Sequence, residues 1–142
     1  MDKPLRIGTV MTIDDDRVDQ LLYKRIIKRS GIVDNVLSFQ MAEDALDYLR
    51  RPNRDPIDVI FLDVNMPRMS GFDFLDAAVL EFGPAFTDCV VMMLTTSLDP
   101  VDVQRSKNYS MIKEFLNKPM CAAQLEIAAR TLFQAKHSEI IE

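Results

Sequence analysis

The sequence predicts a doubly wound α/β domain built on a five-stranded parallel sheet in the order 2-1-3-4-5, with helices on both faces. Three observations carry this. The runs Val59 to Leu62 and Cys89 to Leu94 are apolar without polar alternation, as strands covered on both faces are. Strand and helix signals alternate five times over short connections, the pattern of a parallel sheet. Right-handed crossovers then leave few strand orders, of which 2-1-3-4-5 is the common one.

The first strand is Ile7 to Ile13, closed by Asp14, Asp15 and Asp16. Val18, Leu21, Leu22 and Ile26 repeat at helical spacing after it; Asp16 or Asp15 can cap that helix, and Gly31 supplies a left-handed stop. Lys24, Arg25, Lys28 and Arg29 fall largely on its outer side, as a solvated face, with a partner-docking surface as the alternative. Val36 to Phe39 reads as a short second strand. Ala42, Ala45, Leu46 and Leu49 trace one face of a second helix that breaks at Arg50, Arg51 and Pro52. The third strand is Val59 to Leu62, and Phe72, Leu75, Val79 and Phe82 form the stripe of a third helix that ends at Gly83 and Pro84. Cys89 to Leu94 is the fourth strand. Asp99 and Pro100 are an N-cap and first-turn pair, although apolar content from Val101 to Asn108 is thin. Ile112 to Leu116 is a mixed fifth strand broken by Lys118 and Pro119; Leu125, Ala128, Ala129, Leu132 and Phe133 stripe the last helix, with fraying expected beyond His137.

The 142 residues suit one domain, with a core over about residues 5–135. A composition of 48% hydrophobic and 27% charged residues is that of a compact soluble chain. A net charge of −5 and a pI near 4.9 argue against nucleic acid as a partner. Cys89 and Cys121 stand apart without metal or redox spacing, and no apolar run approaches a membrane span. The expectation is a cytoplasmic protein with no membrane partner.

Asp63 ends the third strand, at the sheet edge where ligands and chemistry collect in open α/β folds. Taken alone it reads as well as a strand-ending Asp that caps the turn of Asn65, Met66 and Pro67. The neighbouring strand ends change that balance. In the expected order the first and third strands are adjacent, so Asp14 and Asp15 come beside Asp63. Two like charges about 5 Å apart at an effective dielectric near 20 repel by roughly 3 kcal/mol. A hard divalent cation such as Mg²⁺ is one compensation. Lys118, at the end of the fifth strand, is the other, and Thr95 ends the fourth strand with a hydroxyl. A lone lysine is mostly a surface residue, and a lone threonine there mostly bonds its own backbone. Jointly, carboxylate, cation, hydroxyl and ammonium make a site for a phosphoryl group that Asp63 attacks.

These residues resemble the receiver domain of two-component response regulators, similar to the chemotaxis receiver and flavodoxin-like in topology. The resemblance runs from Ile7 to Phe133. It rests on Ile-Asp-Asp-Asp at 13–16, Phe-Leu-Asp-Val-Asn-Met-Pro-Arg-Met-Ser-Gly at 61–71, Leu-Thr-Thr-Ser at 94–97 and Phe-Leu-Asn-Lys-Pro at 115–119. It implies Asp63 as the phosphoacceptor, Asp15 as a direct Mg²⁺ ligand, Asp14 acting partly through water and Asn65 giving its backbone carbonyl to the metal, with Mn²⁺ as a substitute. It implies that Thr95 and Lys118 bind phosphoryl oxygens, that Phe115 and Thr95 form the switch, and that Lys118–Pro119 is a candidate cis bond. Asp16 is left to capping. The donor would be a sensor histidine kinase or histidine phosphotransfer protein, acting on a module that switches a protein-interaction surface and catalyses its own phosphorylation and dephosphorylation rather than serving as an enzyme.

Ser106, Lys107, Asn108 and Tyr109 depart from the family's usual Ala and Gly pattern, and Tyr109 reads as packing. The Leu94 to Pro100 segment most resembles stand-alone receivers, so a single-domain receiver without an output domain is expected. Three rivals remain: a receiver-fold binding module that is never phosphorylated, a Mg²⁺-dependent phosphatase with an aspartyl-phosphate intermediate, and a flavin carrier. Phosphatases of that kind place a second Asp two residues after the nucleophile, where this chain has Asn65. The acidic loop after the first strand would repel a flavin phosphate. His137, without a supporting base or metal partner, is a poor phosphotransfer histidine.

Overall fold

The computed structural model describes residues 5–141, with side chains through Lys136. Five parallel strands, β1 (Ile7–Ile13), β2 (Val33–Phe39), β3 (Val59–Asp63), β4 (Val90–Thr95) and β5 (Ile112–Asn117), form one sheet in the order β2-β1-β3-β4-β5. Between and after them lie α1 (Arg17–Ser30), α2 (Ala42–Leu49), α3 (Gly71–Phe82), α4 (Pro84–Thr87), α5 (Pro100–Ser106) and α6 (Ala122–Ile141). The expected class and order are therefore those of the molecule. Among the described residues no helix is long and apolar enough to cross a membrane.

The unalternating strands feed two cores. From β3 and β4, Ile60, Leu62, Val91 and Met93 pack with Ala42, Ala45, Leu46 and Leu49 of α2 and Phe72, Leu75 and Ala78 of α3. Their neighbours Val59, Phe61, Val90, Met92 and Leu94 turn to the other face, against Tyr23 and Ile27 of α1 and Leu125, Ala128, Ala129 and Leu132 of α6. At roughly 25 cal/mol per Å² of apolar surface removed from water, these two layers are the main source of stability.

Several boundaries differ from the sequence reading. β2 begins at Val33, because Asp34 and Asn35 sit exposed on an edge strand where polar residues are tolerated. Pro84–Thr87 forms a short extra helix where Gly83 and Pro84 read only as a break. α6 is helical through Ile141, past the point at His137 where the sequence pattern ends; the side chain of His137 lies outside the described residues. Phe133 is 49% exposed at the end of the α6 stripe.

The largest correction concerns α1. Its inner face is Gln20, Tyr23 and Ile27, while Val18 and Leu21 are 74% and 67% exposed. Of the expected stripe, Leu22 and Ile26 are half-buried and Ile26 packs on the core, so the hydropathy pattern is rotated from the true inner face, where two residues are polar and hydrogen-bonded. Gln20 donates to the carbonyls of Asp14 (3.0 Å) and Phe39 (2.9 Å) and accepts from the Thr12 hydroxyl at 2.6 Å. The polar partners of Gln20 thus stitch the ends of β1 and β2 to the first helix, at the edge where the acidic residues gather.

Candidate functional site

The acidic triplet after β1 divides its work. Asp16 is the N-cap of α1, its carboxylate accepting from the backbone N–H groups of Val18 (2.8 Å) and Asp19 (3.1 Å). Its own N–H donates to Asp14 Oδ1 at 2.9 Å. Asp14 is turned inward and fully buried, while Asp15 is exposed at the crevice. Asp63, the last residue of β3, is 5% exposed. Among the described residues, oxygen atoms of Asp14, Asp15 and Asp63 lie within 4.8 Å of one another.

The turn after β3 is built tightly behind Asp63. The Asn65 N–H donates weakly to Asp63 Oδ1 at 3.4 Å, and the Gly71 N–H donates to the Val64 carbonyl at 2.9 Å. A Cβ on Gly71 would stand 2.5 Å from the Asp63 carbonyl oxygen, so a side chain at this position cannot coexist with the present path of the strand end. Ser70 and Asp73 then form a reciprocal capping box that starts α3.

Lys118 reaches the site from the end of β5. Its Nζ lies 2.8 Å from Asp14 Oδ2, 3.1 Å from Asp19 Oδ2 and 3.4 Å from Asp63 Oδ1, with only 9% of the side chain exposed. Its backbone N–H donates to the Thr95 carbonyl at 2.7 Å, and the Lys118–Pro119 bond is cis. The structure thus brings Asp14, Asp15, Asp63 and Lys118 to one crevice, whose walls also include Arg17, Asp19, Asn65 and Thr96.

Two further expected participants, Thr95 and Phe115, make contacts of their own. The Thr95 hydroxyl is at the same sheet edge, but it donates to the Ser97 carbonyl (3.0 Å) and accepts from the Ser97 N–H (3.2 Å), the local turn that a strand-ending threonine often makes. Thr96 lines the crevice in its place. Phe115 is half-buried on β5, opposite Met93, and packs against the core cluster on that face of the sheet.

Asp19, Tyr23 and Thr96 were not among the sequence candidates. Tyr23 is buried and donates its hydroxyl to Asp14 Oδ2 at 2.7 Å, the oxygen that Lys118 also contacts. The available signal was spacing: Asp19 and Tyr23 are i,i+4 neighbours on a helix that leaves directly from the end of β1, so they share a face near that end.

The electrostatics follow from this crowding. Burial, then the charge of Asp14, push the Asp63 carboxyl up to about 7 against the opposing pull of Lys118. Burial would lower the Lys118 ammonium, but its bonds to Asp14 and Asp19 and the charge of Asp63 outweigh that and raise it. Tyr23 is raised by burial and by its bond to Asp14, so it remains a neutral donor. The three converging carboxylates of Asp14, Asp15 and Asp63 are oxygen donors of the kind a hard divalent ion such as Mg²⁺ or Mn²⁺ takes, and Lys118 touches two of them, Asp14 and Asp63. Of the three, Asp63 is the one that both lines the crevice and faces the ammonium, a geometry suited to attack on an electrophilic phosphorus.

Known proteins share this arrangement's frame. The family model described as "Response regulator receiver domain" matches residues 10–130. The chain is 29% identical over 117 residues to the two-component response regulator ARR10 of Arabidopsis thaliana and 31% identical over 116 residues to ORR22 of Oryza sativa subsp. indica, with 82% of the chain covered in each case. It is 27% identical over 122 residues to hybrid signal transduction histidine kinase L of Dictyostelium discoideum, with 84% of the chain covered. It spans only 20%, 15% and 7% of those proteins' respective lengths. Among solved structures, a two-component response regulator from Cytophaga hutchinsonii superposes with a TM-score of 0.81 at 24% identity, covering 91% of this chain and 98% of that one. The Vibrio cholerae chemotaxis protein CheY4 superposes with a TM-score of 0.72 at 25% identity, covering 89% and 98%.

Proposed function

Because the chain belongs to the response regulator receiver domain family, we propose that it accepts a phosphoryl group on Asp63 in a Mg²⁺-dependent reaction, from a histidine kinase or histidine phosphotransfer protein. The observation that carries this reading is the placement of Asp63: buried at the end of β3, within 4.8 Å of the carboxylates of Asp14 and Asp15 and 3.4 Å from Lys118.

In the proposed step an Asp63 carboxylate oxygen forms a bond to phosphorus as the bond from phosphorus to the donor nitrogen breaks. The donor histidine leaves as a neutral imidazole once protonated by solvent, and Asp63 becomes an acyl phosphate. Asp14 and Asp15, with Asp63 and the Asn65 carbonyl, would hold the metal, which when bound neutralises charge on the transferring oxygens. Lys118 supplies a fixed ammonium beside the same oxygens. For Thr95 to donate its hydroxyl to a phosphoryl oxygen, its donation to the Ser97 carbonyl must open, which makes that turn the first element of the proposed switch. From there the change would pass along β4 and β5 toward Phe115.

Asn65 stands two residues beyond Asp63, and its amide cannot serve as a general acid or base in that position. Sustained turnover of phosphomonoesters is therefore not part of the proposal. Incubating the protein with a small phosphodonor and Mg²⁺ should add one phosphoryl group by intact mass. An Asp63→Asn protein that gained the same mass would remove the assignment.

A further inference from the structure

We propose that Asp19 is a positioning residue for Lys118: a rival anchor that holds the ammonium partly off Asp63 and so weakens the phosphorylated state. The inference rests on the reading of Asp63 as the phosphoacceptor. Lys118 has three N–H donors and faces three carboxylates, at 2.8 Å (Asp14), 3.1 Å (Asp19) and 3.4 Å (Asp63).

These contacts are not equivalent. Asp14 is fully buried and pinned through both oxygens by Tyr23 and the Asp16 N–H, so its hold on Lys118 does not change with the state of Asp63. Asp63 makes the longest of the three contacts, and it is the group that turns into an acyl phosphate bearing about two negative charges, with oxygens that compete for the same ammonium. Asp19 is the remaining competitor. It stands in the first turn of α1, its side chain is 27% exposed, and it lines the crevice together with Lys118 and Asp63. Any share of Lys118 that Asp19 keeps is lost to the phosphoryl oxygens. The ordinary role of an acid in a first turn, complementing the helix dipole, needs no contact with Lys118 at all.

The distinguishing measurement is the affinity for beryllofluoride, an acyl-phosphate mimic, at saturating Mg²⁺, by calorimetry on the whole protein. Asp19→Asn should bind it about 2- to 5-fold more tightly than wild type, the span of a partly exposed ion pair. Asp16→Asn serves as the comparison. It removes a crevice charge that has no contact with Lys118 and keeps an equally good cap, so it should change the affinity less. Equal or weaker binding by Asp19→Asn would overturn the proposal, as would an equal gain in Asp16→Asn, which would make the effect one of general charge. If wild type takes up neither beryllofluoride nor a phosphoryl group, the phosphoacceptor reading fails first and the inference goes with it. If wild type does so and Asp19→Asn matches it, only the inference fails.

Discussion

The Tyr23 hydroxyl donates to Asp14 Oδ2 at 2.7 Å, on the same oxygen that receives Lys118 at 2.8 Å. A helix residue in the core therefore holds the most buried carboxylate of the crevice in one orientation. Tyr23→Phe keeps the ring packing and deletes only this donor. A hydrogen bond to a buried charge contributes about 1.5–3 kcal/mol, so the variant should lose that much in urea unfolding with an unchanged slope. A loss below about 0.5 kcal/mol would mean that Lys118 alone suffices to satisfy Asp14 Oδ2.

The crowded carboxylates also set a pH dependence. Asp63 is raised in the folded protein, from 3.8 to about 7, so folding favours its protonated form. The sign is that of a raised group: its favourable contribution is complete below the unfolded value and is lost as pH rises through about 7. Asp63→Asn removes this dependence. In the absence of divalent ions it should match wild type near pH 4 and become more stable by on the order of 2–4 kcal/mol at pH 8, as judged by thermal unfolding across that range. A constant difference between the two proteins would contradict the assignment.

Divalent ions should reverse that penalty. A ligand that binds only the folded state stabilises it by about 2.7 kcal/mol at a hundred times its dissociation constant. Mg²⁺ should therefore raise the wild-type melting temperature at pH 8 and do so less in Asp63→Asn and Asp15→Asn. Equal shifts in all three would place the ion elsewhere.

Gly71 carries a steric prediction. With its Cβ position 2.5 Å from the Asp63 carbonyl and 3.2 Å from Val64 Cα, Gly71→Ala must displace the strand end, at a cost of roughly 1–3 kcal/mol. Chemical denaturation should register that loss, and phosphoryl uptake should fall with it. A variant as stable and as readily phosphorylated as wild type would show that the turn has room to relax.

On the far side of the sheet, Tyr109 donates to Asp76 at 2.7 Å and Arg105 lies 3.6 Å from the same carboxylate, with its guanidinium 4.5 Å above the Phe72 ring. These contacts tie α5 and its exit loop to α3. Both charged partners are well exposed, so Asp76→Ala should cost only about 0.5–1 kcal/mol globally. Its clearer effect should be local: faster amide exchange over residues 100–109 with the β3 and β4 amides unchanged. Uniform acceleration would argue against a local clamp.

How much of this is legible in the sequence alone depends on the residue. The inner strands were legible as apolar runs such as Val59–Leu62, because burial on both faces leaves no polar alternation to misread, and their order followed from the handedness of the crossovers. Asp14, Asp15, Asp63 and Lys118 were legible as a group because each ends or directly follows a strand, and the order of strands converts sequence ends into neighbours. The inner face of α1 was not, since Gln20 and Tyr23 are buried through their hydrogen bonds rather than their hydropathy. Asp19 was hidden for the same reason: it looked like an ordinary first-turn acid, and only the path of Lys118 reveals its contact. The local bonding of Thr95 was the ordinary alternative for a threonine at a strand end, and the structure adopts it.

The central claim is that Asp63 carries the phosphoryl group. Treating the phosphodonor-exposed, Mg²⁺-loaded protein with borohydride reduces an acyl phosphate to an alcohol and converts that one aspartate to homoserine, which peptide mass mapping then locates. The account predicts homoserine at position 63 and none at positions 14, 15 or 19. Homoserine at one of those positions, or none anywhere after the intact protein has gained a phosphoryl group, would contradict it.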